Sequence, residues 1–247
     1  MIVLRGVSHR FEGEVPVEAL AGIDVVIATG ELVAIVGPSG CGKSTLLRIL
    51  AGLTVPTTGE ARVGGDVANG NPGLVAYQPQ RDLLLPWRRV LGNATLGAEI
   101  AGIPRAEAQR MVLDRFDRFG LAGFERAWPA TLSGGMRQRV ALLRTFAVPR
   151  PVLLLDEPLG ALDAITRREM HAWLQAVWAA DGRTVILVTH DVDEALVLAD
   201  RVLVMSPRPG HFVYEHVVGF DRPRADGIVT SSEFVDAKRA LLDALAH

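Results

Sequence analysis

The 247-residue sequence predicts an α/β fold built on a doubly wound parallel sheet, with an antiparallel β-rich N-terminal subdomain and an inserted helical subdomain. Three observations carry this expectation. The segments 32–36, 152–155 and 184–189 are short, apolar and rich in branched residues, the pattern of strands buried on both faces of a parallel sheet. Segments of helical composition alternate with them, as parallel strands need crossover helices. Between 81 and 149 strand patterning gives way to helical composition.

Taken in order, residues 1–75 read as mainly β, with turns at Thr57-Thr58-Gly59-Glu60 and Gly64-Gly65-Asp66, and one helix at 46–51. A strand is expected at 74–77. Residues 105–113 follow Pro104, carry no turn signal and read as helix, as do 136–148. After the apolar segments 152–155 and 184–189, a short helix is expected at 191–200 and a strand at 201–205. Beyond them lie a turn at 207–210 and a strand at 211–218. Thr230-Ser231-Ser232-Glu233 offers a capping box for a last helix, whose Phe234, Leu241 and Leu245 share one face and pack on the core. With no internal repeat and no low-complexity linker, residues 1–247 are expected to form one domain. Within it, 1–80 and 150–220 make the core and β subdomain, 81–149 the helical subdomain and 221–247 a C-terminal tail helix.

Composition narrows the function classes. A formal net charge of −2 gives no basic face for nucleic acid. A single cysteine, Cys41, excludes an internal disulfide and fits a reducing compartment. No apolar run is long enough to span a bilayer, and the first residues do not read as a cleavable signal. The chain is therefore expected in the cytosol unless a membrane protein recruits it. His9, His171, His211, His216 and His247 form no ligand-like pattern and are assigned no chemistry.

The chemistry is concentrated in four places. Gly37-Pro38-Ser39-Gly40-Cys41-Gly42-Lys43-Ser44-Thr45 lies between a strand and a helix and matches a glycine-rich phosphate-binding loop. Glycines allow close backbone approach, and the helix start offers free N–H groups to an anion. Lys43 is expected on the β- and γ-phosphates and the Ser44 hydroxyl on Mg²⁺, with Cys41 filling space beside the loop. Asp156-Glu157 closes the second apolar run. Asp156 is expected to hold Mg²⁺, and Glu157 to act as the base that polarises an attacking water. His190 ends the third run, where it can donate to a γ-phosphate. Finally, Ser133-Gly134-Gly135 opens a helix and makes a second anion-suited terminus. One chain thus carries two such termini on segments expected to lie apart, which suits a nucleotide held between two subunits.

These motifs, in this order and over essentially the whole length, resemble the nucleotide-binding subunit of ATP-binding cassette (ABC) transporters, which have a RecA-like P-loop NTPase core. Gly37 to Thr45 resembles the Walker A loop, Leu132-Ser133-Gly134-Gly135-Met136-Arg137-Gln138 the signature motif, and Val152 to Glu157 the Walker B strand and catalytic glutamate. Leu159-Gly160-Ala161-Leu162-Asp163 resembles the D-loop and His190 the switch histidine. The resemblance implies ATP and Mg²⁺ as cofactors and a head-to-tail homodimer in which Ser133, Gly134, Gly135, Gln138 and Asp163 join the ATP site. It places Phe11 where an aromatic stacks on adenine, although a core position on the first strand fits the residue equally well. It also implies a lever glutamine that contacts metal and water. Gln78 and Gln80 both follow the strand expected at 74–77, and counting back from Leu85-Pro86-Trp87 favours Gln80, leaving Gln78 an ordinary loop residue.

The stretch from Gln80 to Asn93, and Met205-Ser206-Pro207-Arg208-Pro209-Gly210, are similar to importers of the nitrate, sulfonate and taurine group, whose relatives also carry bicarbonate or pyrimidine precursors. That likeness implies permease subunits docking near Leu83, Leu85 and Trp87, with Trp87 an anchor or a core aromatic, and indirectly a substrate-binding protein. It places the chain on the cytoplasmic face of the membrane as a peripheral subunit. The Arg144-Thr145-Phe146 step departs from the family's usual Arg-Ala-Leu without touching the chemistry. The other explanation is a soluble ABC-type ATPase acting on ribosomes or nucleic acid. One cassette per chain and no heptad array oppose it.

Overall fold

The computed structural model describes residues 1–160, 162–224 and 226–246; Ala161 of the D-loop stretch, Ala225 and His247 lie outside the described residues. In chain order the elements are β1 (Ile2–Phe11), β2 (Val17–Ile27), β3 (Leu32–Val36), α1 (Lys43–Leu50), β4 (Thr58–Val63), β5 (Asp66–Val67) and β6 (Ala76–Gln78). They continue with α2 (Val90–Ala94), α3 (Leu96–Ile100), α4 (Arg105–Phe116), α5 (Gly134–Phe146), β7 (Val152–Asp156), α6 (Ala164–Asp181), β8 (Thr184–Val188), α7 (Val192–Leu198), β9 (Arg201–Met205), β10 (Phe212–Val217) and α8 (Ser232–Ala246).

Two sheets result. A four-stranded antiparallel sheet has the order β2-β1-β4-β5, and a six-stranded sheet has the order β10-β9-β3-β8-β7-β6. The five strands β9 to β6 are parallel and β10 closes one edge antiparallel. The central strands β3, β7 and β8 are buried at every residue. Because side chains alternate across a sheet, each strand feeds two cores. Leu32, Ala34, Leu153, Leu155, Val185 and Leu187 face the helical side, where α2, α4, α5, α6 and α7 pack. Val33, Ile35, Val152, Leu154, Ile186 and Val188 face α1 and the antiparallel sheet. The residues between 81 and 149 contribute four of the eight α-helices among the described residues.

Local chemistry explains the element ends. Asp163 accepts from the backbone N–H groups of Ile165 and Thr166 and starts α6, and Asp191 does the same for Asp193 and Glu194 at α7. Gly182, left-handed at φ 69°, ends α6. Gly42 sits at φ 113° just before α1, and a Cβ there would lie 2.6 Å from Leu20 Cδ2, so only glycine lets the loop turn beneath β2.

Three expectations are corrected. The strand expected at 74–77 runs Ala76–Gln78 instead, because those residues pair with Leu153, Leu154 and Leu155 of β7. Gln78 is therefore a strand residue rather than a loop residue. Its side chain is fully buried, and neither amide atom has a hydrogen-bond partner among the described residues. At the last helix, Ser231 Oγ accepts from Phe234 N at 3.2 Å, while Thr230 Oγ1 donates to Gly227 O and closes a preceding 3₁₀ turn. The expected box thus begins one residue early. Phe234 and Leu241 are fully buried, with Leu245 packed beside them.

Glu194 on α7 is buried and accepts from Thr189 Oγ1, and burial pushes its carboxyl up to about 7 from the ordinary 4.5. The unfolded chain then ionises first as pH rises, so Glu194 withdraws stability between about pH 4.5 and 7 and the loss is complete above that range. Glu194→Gln keeps an acceptor for Thr189 and removes the titration. Thermal melts should show its Tm rising relative to the parent by several degrees between pH 5 and pH 8; a constant difference would contradict the assignment.

Candidate active site

The carboxyl ends of the central strands lie level. Ile35 pairs with Val188, and Val188 with Asp156, so the loops after β3, β8 and β7 leave the sheet side by side. Two further bonds hold them there, from Glu157 N to Val188 O at 2.8 Å and from Thr189 N to Ile35 O at 3.1 Å. These loops carry His190 and Glu157 and lead into Lys43, the first residue of α1.

A cleft of about 500 Å³ opens above them, lined by Phe11, Val17 and Ala19 on one side, and by the loop with Lys43 and Ser44 below. Gln80, Glu157 and Arg208 complete the wall. Lys43 is buried, and its Nζ donates to Gly37 O at 2.7 Å and Pro38 O at 2.9 Å, with Cys41 Sγ at 3.6 Å. The loop's own carbonyls thus hold the ammonium at the base of the cleft. Ser39, Gly40, Gly42 and Thr45 line the cleft as well, whereas Gly37, Pro38 and the buried Cys41 shape it from behind. Phe11 is 45% exposed, stands edge-on to His9 and lines the cleft, which excludes the core position for it.

Glu157 joins three loops. Its Oε2 accepts from Gln80 Nε2 at 2.9 Å and lies 3.4 Å from His190 Nδ1. Its backbone sits at φ 45°, a left-handed conformation that a non-glycine residue adopts only where its surroundings impose it. Ser44 Oγ donates to Asp156 Oδ1 at 3.1 Å, and Tyr77 OH approaches Oδ2 at 3.4 Å. Burial raises the Asp156 carboxyl above its usual range; Glu157 raises it further, while the Ser44 and Tyr77 bonds and Lys43 oppose the rise. Tyr77 is pushed up to about 12, first by burial and then by the charge of Asp156. A buried carboxylate disfavoured in this way, beside the Ser44 hydroxyl, fits a divalent cation that would supply the missing positive charge. No group of three His, Cys, Asp or Glu side chains gathers among the described residues, so such a cation would draw its other ligands from phosphate and water.

The remaining candidate residues lie elsewhere on the chain. Ser133 caps α5, its Oγ accepting from Met136 N at 3.2 Å, and with Gly134 it is exposed outside the cleft. Gly134 and Gln138 border a second cleft with Gln80, Glu157, Gly160 and Leu162, whereas Gly135 packs close to Thr166. Asp163 does not line the first cleft, and its carboxylate is taken up by the cap of α6. The sequence assigns no contact or role to two groups. Arg144 donates to Asp82 O at 2.5 Å and Leu83 O at 2.9 Å, and Arg137 pairs with Asp82 at 3.3 Å, so α5 grips the loop that bears Gln80. Both arginines sit on the helical turns that follow Ser133, and no local pattern links them to residues some 60 positions away. Arg208 is the other such group. On the gripped loop, Leu83 is exposed at φ 45°, Leu85 is half-buried, and Trp87 is 71% exposed, which excludes a core position for the indole.

The chain is similar to known proteins along most of its length. Residues 20–160 match the family model described as ABC transporter. Over 247 residues the chain is 38% identical to the taurine import ATP-binding protein TauB of Yersinia pestis, covering 98% of this chain and 96% of the relative. Over 242 residues it is 45% identical to the aliphatic sulfonates import ATP-binding protein SsuB 1 of Rhodococcus jostii, covering 98% and 92%. Among solved structures, the dimeric bacterial ABC transporter cassette MJ0796 matches with a TM-score of 0.78 at 31% identity, covering 89% of this chain and all of that one. A post-hydrolysis dimer of the same cassette, bound to ADP and Pi, matches with a TM-score of 0.77 at 30% identity. The strand-edge cleft, the order of its motifs and these similarities together establish that the chain belongs to the ABC transporter family, as an ATP-binding cassette.

Proposed function

We propose that this chain is the ATP-hydrolysing subunit of an importer for a small anion such as taurine, another sulfonate or nitrate. Two copies close around ATP and drive a separate membrane permease. The observation that carries this reading is the meeting of Gln80 and His190 at one oxygen of Glu157, above a loop that presents Lys43. Similarity to taurine and sulfonate import subunits supports the cargo class. No helix among the described residues is long and apolar enough to cross a membrane, so attachment at the cytoplasmic face depends on the permease.

In this reading the nucleotide lies along the glycine loop, with adenine against Phe11 and the β- and γ-phosphates on Lys43, Thr45 and the N-terminus of α1. Glu157 orients a water and takes its proton as the water oxygen attacks the γ-phosphorus and the bond to the β-bridging oxygen breaks. His190 donates to the γ-phosphate oxygens, where charge is spread in the transition state, and Gln80 positions the water and reports its presence to the helical subdomain. Ser44, Asp156 and Gln80 would hold Mg²⁺, which neutralises phosphate charge when bound. The exposed start of α5, with Ser133, Gly134 and Gly135, completes the site of the partner copy, and Asp163 and Gln138 line the same junction. Leu83, Leu85 and Trp87 dock the permease, since an exposed tryptophan beside a strained exposed leucine makes a strong contact anchor.

Glu157→Gln should retain ATP binding and lose turnover by about 100-fold or more; near-normal steady-state hydrolysis would contradict the base assignment. Ser133→Arg should abolish ATP-dependent dimerisation in gel filtration while nucleotide still binds to the monomer, and persistent dimers would contradict a shared site. Purified from membranes with ATP, the Glu157→Gln protein should bring down a multi-spanning permease and a binding protein, and adding Trp87→Glu should release both. Recovery with ribosomes or nucleic acid would overturn the transport reading.

A further inference from the structure

The segment joining β9 to β10 is built against the phosphate-binding loop rather than lying free beside it. Ser206 Oγ donates to Pro207 O at 2.9 Å and lies 2.9 Å from His211 Nδ1, while Ser206 N donates to His211 O at 2.9 Å, which closes the segment on itself. Gly210 N donates to Ala19 O and Gly210 O accepts from Ala21 N, both at 3.0 Å, which pins the segment to β2, the strand bearing the Val17 and Ala19 wall of the cleft. A Cβ on Gly210 would lie 2.0 Å from Cys41 O, so segment and loop meet backbone to backbone. The result is a brace with fixed ends on both β2 and the loop.

From this brace Arg208 reaches over the crest of the loop. Its Nε and Nη2 donate to Gly40 O at 3.1 and 2.8 Å, and the side chain lines the cleft that contains Lys43. No carboxylate among the described residues pairs with it, and no hydrogen bond uses its Nη1. An arginine held by two donors, with its charge uncompensated and facing a cleft for a polyanion, has the chemistry of phosphate recognition.

We infer that Arg208 is a nucleotide-binding residue of this cleft: it steadies the loop through the Gly40 carbonyl and attracts the phosphate chain with its guanidinium charge. The inference rests on the reading that this cleft holds ATP. Its charge acts alike on phosphates that persist through ATP, the transition state and ADP, so its contribution is uniform binding: it lowers KM more than it alters kcat. Part of it is long-range attraction at an exposed site, which salt screens.

The test is the equilibrium Kd for ATP and for ADP, measured with the full chain at low and high salt, together with steady-state kinetics. Arg208→Gln can still donate to Gly40 O but carries no charge, and Arg208→Lys keeps the charge. The Gln variant should weaken both nucleotides by about tenfold at low salt, with a flatter salt dependence and the loss appearing in KM, whereas the Lys variant should stay within about threefold. Equal effects of Gln and Lys would confine Arg208 to bracing the loop and overturn the inference, as would an unchanged Kd in the Gln variant. Lys43→Ala separates the two levels of failure. If it abolishes binding while Arg208→Gln does not weaken it, the inference alone falls; if it also leaves Kd unchanged, the nucleotide is not in this cleft and both readings fall.

Discussion

The register of β3, β8 and β7 governs the site, because strands buried on both faces can present functional side chains only beyond their carboxyl ends. Ile35, Val188 and Asp156 lie in line across the sheet, so the glycine loop, His190 and Glu157 emerge at the same height. A one-residue slip in any strand would exchange its two apolar faces and displace the loop that follows it. Two cores enforce the register, one under the helices and one under α1 and the antiparallel sheet. The chemistry is thus positioned by packing that has no chemical role of its own.

The same geometry leaves the site open on one side. Within one chain the cleft offers Lys43, the start of α1 and the wall formed by Phe11, but the capped start of α5 is exposed elsewhere. Arg144 and Arg137 tie α5 to the loop of Gln80, and Gln80 bonds to Glu157. Movement of the helical subdomain therefore bears on Glu157 itself. The exposed residues Leu83 and Trp87 lie on that same loop, so a permease docked there, as proposed, would act on the segment that touches Glu157. In the proposed reading, this continuity from Trp87 to Glu157 would be the physical form of coupling between transport and hydrolysis.

Much of this is legible in the sequence because it depends on local pattern. Unbroken apolar runs such as Val152–Asp156 disclose a strand buried on both faces, and the residues just past them disclose the reactive edge. The glycine loop is recognisable because its glycines, Lys43 and Ser44 stand at fixed spacing between a strand and a helix. Other features depend on distant partners and carry no local signal. The end of β6 is set by pairing with β7, which makes Gln78 a buried strand residue instead of a loop residue. Whether Phe11 and Trp87 pack inside or stand in the open is decided by what surrounds them in space. Arg208 meets Gly40 across 168 residues, and Arg144 meets Leu83 across 61. The start of the last helix differs from its sequence pattern by a single residue, since adjacent Thr230 and Ser231 can both cap and only the 3₁₀ turn before them decides between the two.

In the proposed reading, each ATP is held between two copies of the chain. The most direct measurement of this mixes equal amounts of a Lys43→Ala protein and a Ser133→Arg protein and counts the ATP trapped in dimers. In a mixed dimer the intact loop of one copy faces the intact α5 start of the other, while the second site is doubly disabled. Neither protein alone should trap ATP, and mixed dimers should trap one nucleotide each. A mixture as inactive as its components would show that loop and signature residues act within a single chain.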